Sequence, residues 1–482
     1  MSDVLDSARA AESSPLPPSK HLPAVTLRDL PEPVPLGKLT GASVIILATA
    51  IGSGEFILWP YITTQIGFVF MWAAVVGFGI QFFLNMEIER YTLATGESAV
   101  TGFARFWKPW WWLFIVFALC QNFWPGWATG ASTTISFAFG WENAPIVPIT
   151  VAALIAIGIA LTLSPVVYQV VEKVQGVMVA LIMVFVIAAV AVASTGQAWG
   201  DLVTKGLATP DFPVGVAGLS TALLLGALAF AGAGGANNLV QSNYIRDKGM
   251  GMGLHIPRIV SPVTGEEEAR PSLGYMFPMT PDNMRRWRGW WRVANWEQFI
   301  TFFLIGVVSL ILLSVLAYSL LGVGQVKDDD LAFIRLEGDV LKETIGPWAG
   351  TVFFLAGTFA LLSTNLGIID YTCRLAADQL KIHAMRDHPF WTESKLYVAL
   401  VWLMIVVGSS ILVLGLDQPF VLVVIASSIA GVQMFIYSGL LILLNRRGLP
   451  EPIRVRGIRL AVLVLSFLFF GFLSVLLVLD QF

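Results

Sequence analysis

The stretch Ala50-Ile51-Gly52-Ser53-Gly54-Glu55-Phe56, AIGSGEF, decides how the rest of the chain is read. Glu55 is the only charged residue between Lys38 and Glu87, in the middle of a run of apolar side chains. Burying an ionised carboxylate costs on the order of several kcal/mol, and hydrocarbon offers no water to relieve it. The two glycines beside it let a helix depart from regular geometry. The stretch therefore reads as a place where a helix opens and a charged or polar partner meets Glu55.

Composition says that the surrounding medium is lipid. The 482 residues are 56% hydrophobic and only 13% charged, with a mean hydropathy of +0.75, against roughly 45–50% and about 25% for soluble domains. The chain reads as an all-α integral membrane protein with membrane lipid as its surroundings and no sizeable soluble domain. A net charge of −3 gives no case for nucleic acid as a partner. Cys120 and Cys373 stand far apart with no C-x-x-C and no clustered histidine, so neither a disulfide framework nor a zinc site is implied.

Charges punctuate eleven expected spans, at about 40–65, 66–87, 109–140, 144–164, 173–196, 213–246, 297–323, 347–370, 396–415, 418–442 and 459–480. Residues 1–38, rich in Pro and Ser, read as a disordered cytoplasmic tail. Residues 39–482 read as one transmembrane domain. Arg90, Arg105, Lys173, the group Arg285, Arg286, Arg288 and Arg292, and Arg446, Arg447, Arg454 and Arg456 all fall on the side of the N-terminus. The positive-inside rule then places the N-terminus in the cytoplasm and, with an odd number of spans, the C-terminus outside. Trp110, Trp111, Trp112, Trp287, Trp290 and Trp291 read as interfacial anchors. The stretch 247–296 is the one long internal connection, a cytoplasmic loop that is either functional or simply unstructured.

Spans 1 and 6 both carry glycine clusters at mid-depth: Gly52 and Gly54 in the first, and AGAGGANN, with Gly232, Gly234, Gly235, Asn237 and Asn238, in the other. They open two successive sets of five spans, about 40–196 and 213–442, with a further helix at about 459–480. Interrupted helices in corresponding positions point to an inverted-repeat transporter whose site lies near the bilayer midplane. The expected substrate site is Gly52, Ser53, Gly54, Glu55, Gly232, Gly235, Asn237 and Asn238, with Glu55, a Gly232 carbonyl, Asn237 and Asn238 as metal ligands. Unwound backbone exposes carbonyls, Glu55 adds a full charge, and the amides add oxygens. Such a set suits hard ions such as magnesium, manganese or calcium. Blander readings stay open: the glycines can serve close helix packing, the asparagines can bond across helices, and Glu55 can be a protonated structural group.

These residues resemble the natural resistance-associated macrophage protein (Nramp) family of divalent metal transporters. GSGEF with YITTQIG is similar to the family's D-P-G-N-F segment and the turn after it, MEIERYTLATGESAV to the inner end of its second helix, YQVVEKVQGVMVALIMV to its fifth, and GGANNLVQSN to its M-P-H-N segment. The resemblance implies a leucine-transporter-like inverted repeat of five plus five helices with helices 1 and 6 broken. It puts the family's metal-binding Asp at Gly52, its Asn at Glu55, its Met at Gly235, its His at Asn237 and its next Asn at Asn238, with a helix-6 carbonyl near Gly232. Only Asn238 keeps its identity. The acidic charge thus moves from the first to the fourth position and the thioether is lost, which removes the preference for transition metals. In the third span Trp124 and Trp127 stand where proton-coupled relatives carry acids, so coupling by that route is not expected.

The expectation is a secondary transporter or facilitator of a hard divalent cation, in the plasma membrane, with no cofactor and the cation as substrate. The alternative is a carrier of a small organic solute such as an amino acid, its amine on Glu55 and its carboxylate on free amides at the helix-6 break. An enzyme is not expected, because His21, His255, His383 and His388 all lie outside the spans.

Overall fold

The computed structural model describes residues 17–35, 42–164, 167–208, 211–213, 219–257, 259–260, 273–326 and 331–479. Among them nine helices are long and apolar enough to cross a membrane: Ser43–Ile66, Met71–Thr95, Ile146–Leu163, Val171–Ala193, Pro281–Leu321, Pro347–His383, Glu393–Val413, Pro419–Arg447 and Ile458–Leu479. They cover expected spans 1, 2, 4, 5 and 7 to 11. Expected spans 3 and 6 are each made of two shorter helices. Span 3 is Trp110–Asn122 and Gly126–Phe139, interrupted where Pro125 cannot donate a backbone hydrogen bond. Span 6 is Thr221–Ala229 and Ala236–Lys248, with a non-helical turn between them.

Span 8, Pro347–His383, is the central post, packing against spans 1, 3, 5 and 9 and the second half of span 6. Its buried residues run almost its whole length, from Ala349 to Ile382. Ile458–Leu479 leans on span 10 at the edge and exposes Leu465, Leu468, Phe472 and Val475, as a lipid-facing helix should.

Three expectations change here. Span 1 is not unwound: it continues through a wide π-helical turn, Ile51–Leu58, in which the Trp59 amide donates to the Gly54 carbonyl. Its glycines serve close approach. A Cβ on Gly52 would lie 2.2 Å from Thr364 Oγ1 and 2.5 Å from the Ala360 carbonyl oxygen, and one on Gly54 would lie 1.7 Å from the Phe230 carbonyl oxygen. The packing alternative therefore holds for both, and the broken helix 1 of the sequence reading does not.

The tail is the second change. Residues 1–16 and 36–38 lie outside the described residues, but residues 17–35 pack against the protein instead of trailing as coil. Thr26–Leu27 pairs in parallel with Tyr275–Met276, and Leu22, Val25 and Leu30 are buried. Arg105 Nη1 donates to the carbonyls of Pro18 and Pro23 at 3.2 and 3.0 Å, and Trp290 Nε1 donates to that of Pro31 at 2.8 Å. Composition missed this because a strap held by partners elsewhere needs no apolar core of its own. Trp287 and Trp290 accordingly are buried rather than interfacial anchors.

The third is the long connection. Residues 258 and 261–272 of it lie outside the described residues, but Pro281–Glu297 is a helix that runs on into span 7. Thr280 caps it, its hydroxyl accepting from the Asn283 amide at 3.3 Å, with Pro281 at the first helical position. Its polar sequence hid it from a reading by hydropathy.

Candidate functional site

The break in span 6 is real and is built by glycine. Gly232, Gly234 and Gly235 have φ of 114°, 67° and 59°, values that residues with a side chain rarely adopt. Between Ala229 and Ala236 the backbone groups lose their helical partners, and two glutamines supply new ones. Gln81 of span 2 donates through Nε2 to the carbonyls of Ala229 and Ala231, at 2.8 and 2.7 Å, and accepts through Oε1 from the amides of Ala233 and Gly234, at 2.9 and 3.0 Å. Gln121 of span 3 accepts from the Ala236 amide at 3.0 Å and from Gln433 Nε2, also at 3.0 Å. Lone glutamines inside apolar runs were the signal, since an unpaired amide at that depth is costly. Neither glutamine carries a charge, so a pattern of charges does not mark them.

Glu55 lies on the π-helical turn and is fully buried. One carboxylate oxygen, Oε2, accepts a hydrogen bond from the Ser309 hydroxyl of span 7. The other, Oε1, has no partner. The carbonyls just before the turn are taken, because Thr364 Oγ1 donates to those of Ala48 and Thr49 at 3.2 Å and Ser53 Oγ to those of Thr49 and Ala50 at 3.0 and 3.2 Å. Ser53 is thus occupied with its own helix, and Gly52 and Gly54 are packing positions. Of the four span-1 residues expected to hold substrate, Glu55 alone offers a free side-chain ligand.

On the other side of the break Asn237 and Asn238 are both fully buried. Neither polar atom of the Asn237 side chain has a partner, and Asn238 Oδ1 also has none. Asn238 Nδ2 donates to Asn85 Oδ1 at 2.5 Å and to Gln81 Oε1 at 3.3 Å. Gly232 lies against Gln81 and Phe302, and Gly235 against Gln121. No hydrogen bond joins Glu55 to Asn237 or Asn238, so these residues frame the region from two elements without closing into a ring. Trp127 packs against Phe230 of the turn, their ring centroids 6.1 Å apart, and Trp124 donates to its own helix at Cys120. Span 3 therefore presents aromatic surface to the break.

Ion pairs lie between this region and the face that carries the N-terminal strap. There the second half of span 6, span 8 and the start of span 9 are tied by charge. Asp370 accepts from Tyr244, Tyr397 and Arg374 at 2.8, 2.7 and 2.8 Å. Arg374 also pairs with Asp247, and Arg246 pairs with Asp378 at 2.5 Å and Glu393 at 2.9 Å. Buried pairs of this kind fix register between elements and are costly to break one side at a time. Among the described residues no group of three or more His, Cys, Asp or Glu side chains is placed to hold a metal. A cation at Glu55 would depend on one carboxylate and neutral oxygens.

Comparison with known proteins fits this architecture. No curated protein sequence matches the chain. Among solved structures, a mutant of the Eremococcus coleocola manganese transporter superposes with a TM-score of 0.68 at 11% identity, covering 93% of this chain and 89% of that one. The same transporter bound to an aromatic bis-isothiourea compound gives 0.67 at 12% identity, covering 94% and 90%. MhsT in complex with L-phenylalanine gives 0.54 at 16% identity, covering 92% and 98%. At these identities the likeness is one of fold. The sequence model of the natural resistance-associated macrophage protein-like family matches residues 43–480, and with nearly every membrane helix inside that match the chain belongs to this family of transporters, which are not enzymes and carry no cofactor.

Proposed function

We propose that the protein moves a hard divalent cation, magnesium or manganese, across the membrane by alternating access, with Glu55 as its principal ligand. The observation that carries this reading is the set of buried oxygens left without partners on span 1 and just after the span-6 break: Glu55 Oε1, Asn237 Oδ1 and Asn238 Oδ1. Buried acceptors in a folded protein normally find donors. Three that do not, one of them a carboxylate, are suited to a cation, with the Gly232 carbonyl as a further ligand. No thiolate or thioether belongs to this set, so softer metals gain nothing there. Family membership and the fold shared with a manganese transporter support the same substrate class.

On this reading the helices at about 40–196 and 213–442 form the two repeats, with 459–480 as an added helix. The protein sits in the plasma membrane, N-terminus inside and C-terminus outside. Protons are not carried along span 3, which has aromatic residues where an acid would be needed. The organic-solute reading is weaker, because the amides that would bind a carboxylate, those of Ala233, Gly234 and Ala236, are already taken by Gln81 and Gln121.

Uptake of Mn²⁺ into proteoliposomes, with Mg²⁺ as competitor, tests the proposal. Wild-type protein takes up Mn²⁺, excess Mg²⁺ suppresses it, and Glu55→Ala abolishes it. Uptake that survives Glu55→Ala unchanged sinks the assigned site.

A further inference from the structure

A second constellation lies below the first on the same helices. Gln81, Asn85 and Glu89 of span 2 follow one another at four-residue spacing, so they share one helix face. Asn238 and Gln241, in the second half of span 6, face them: Asn238 Nδ2 meets Gln81 and Asn85, and Gln241 Nε2 donates to Glu89 Oε1. This polar seam starts at the span-6 turn and descends toward the face that carries the N-terminal strap. It ends in a buried knot of oxygens. Gln241 Nε2 also donates to Gln298 Oε1 at 2.7 Å, and the Ser43 hydroxyl at the start of span 1 is placed against both Gln298 Oε1 and Glu297 Oε2.

Donors and acceptors do not balance in this knot. The Ser43 hydroxyl has one proton and faces two acceptors. Glu89 Oε2, Gln241 Oε1 and the Gln298 Nε2 amide have no partner, although Glu89 is 1% exposed and both glutamines are fully buried. Glu297 Oε1 in turn accepts from the Ser43 amide at 3.2 Å. Gln298 opens a π-helical stretch, Gln298–Leu304, and such local widening is frequent where a helix serves a function. Buried polar atoms left without partners beside the Glu89 carboxylate are not those of a satisfied core.

We propose that Glu89, Gln241, Gln298, Glu297 and Ser43 form a second binding site for a hard divalent cation, a station on the way between Glu55 and the strap-side face. It is built from carboxylate, amide and hydroxyl oxygens, the ligands that magnesium and manganese take. Four elements meet in it, the starts of spans 1 and 7, the end of span 2 and the second half of span 6, so a bound ion fastens the strap-side end of span 1 to its neighbours. The inference rests on the reading of the cargo as a divalent cation.

Mn²⁺ binding to the purified full-length chain, followed by electron paramagnetic resonance with Mg²⁺ as competitor, separates the two sites. Wild type binds two equivalents, Glu89→Gln binds one, and Glu55→Gln also binds one. Gln241→Met keeps the side chain's length and removes its oxygen. If Glu89→Gln fails to elute as a single species on size exclusion, Gln241→Met answers instead, weakening one equivalent by about tenfold or more. If wild type binds one equivalent that Glu55→Gln removes, or if the Glu89 and Gln241 variants bind as wild type does, the second site is overturned and the cargo reading stands. If wild type binds no Mn²⁺ and no Mg²⁺, both fall.

Discussion

Glu55 and Glu337 show two ways in which a buried carboxyl is accommodated. Glu55 has a hydroxyl donor on one oxygen and nothing on the other, beside a turn where ligands can be assembled. Glu337, on the short helix Ala332–Thr344 between spans 7 and 8, is buried with its Oε1 unpartnered, and burial pushes its carboxyl well above the ordinary carboxylate range. A group whose acid form is favoured in the folded state holds its proton there while the unfolded chain releases it. Its contribution is therefore favourable at low pH and is lost as pH rises above the ordinary carboxylate range. Glu337→Gln should raise the melting temperature at neutral pH, and the gain should shrink toward zero as pH is lowered into that range. Gly54 makes the opposite kind of demand, for space. With backbone in the way of a Cβ, Gly54→Ala should cost about 1–3 kcal/mol or more, read as a lower melting temperature and loss of monodispersity.

At the scale of elements, the span-6 break was legible in advance because a run of glycines does not propagate a helix and the turn needs positive φ. The span-1 break was not, and the reason is physical. A Gly-x-Gly pair permits either unwinding or close packing, and only the partner surfaces, here Thr364, Ala360 and Phe230, decide between them. The eleven apolar runs were visible as hydropathy, but the Pro281–Glu297 extension of span 7 was not, since a polar helix has no hydropathic signature. Within the candidate site, Glu55, Asn237 and Asn238 could be picked out as intramembrane polar groups. Gln81, which organises the break, was equally visible as a lone amide but has meaning only once its five partners are in place. Gln81→Ala leaves the Ala229 and Ala231 carbonyls and the Ala233 and Gly234 amides without their side-chain partner. At about 1–3 kcal/mol for each buried group left unpaired, this variant should melt well below wild type and lose transport. A melting temperature equal to that of wild type contradicts the role given to Gln81.

For the whole molecule, the polar residues are not scattered but stacked. The tyrosine- and arginine-rich ties among spans 6, 8 and 9 close the strap-side face, the seam of spans 2 and 6 runs beneath the break, and the N-terminal strap of residues 17–35 is laid over helix Pro281–Glu297 and Arg105. On the proposed alternating-access reading, such ties exchange while the proposed ligands stay with the break. Where the cation sits is therefore decisive. A structure of the protein grown with Mn²⁺ and measured at the manganese absorption edge locates it directly. An anomalous peak is expected in contact with Glu55 Oε1 and with an Asn237 or Asn238 oxygen. Manganese elsewhere in the membrane core, with none at Glu55, would contradict it.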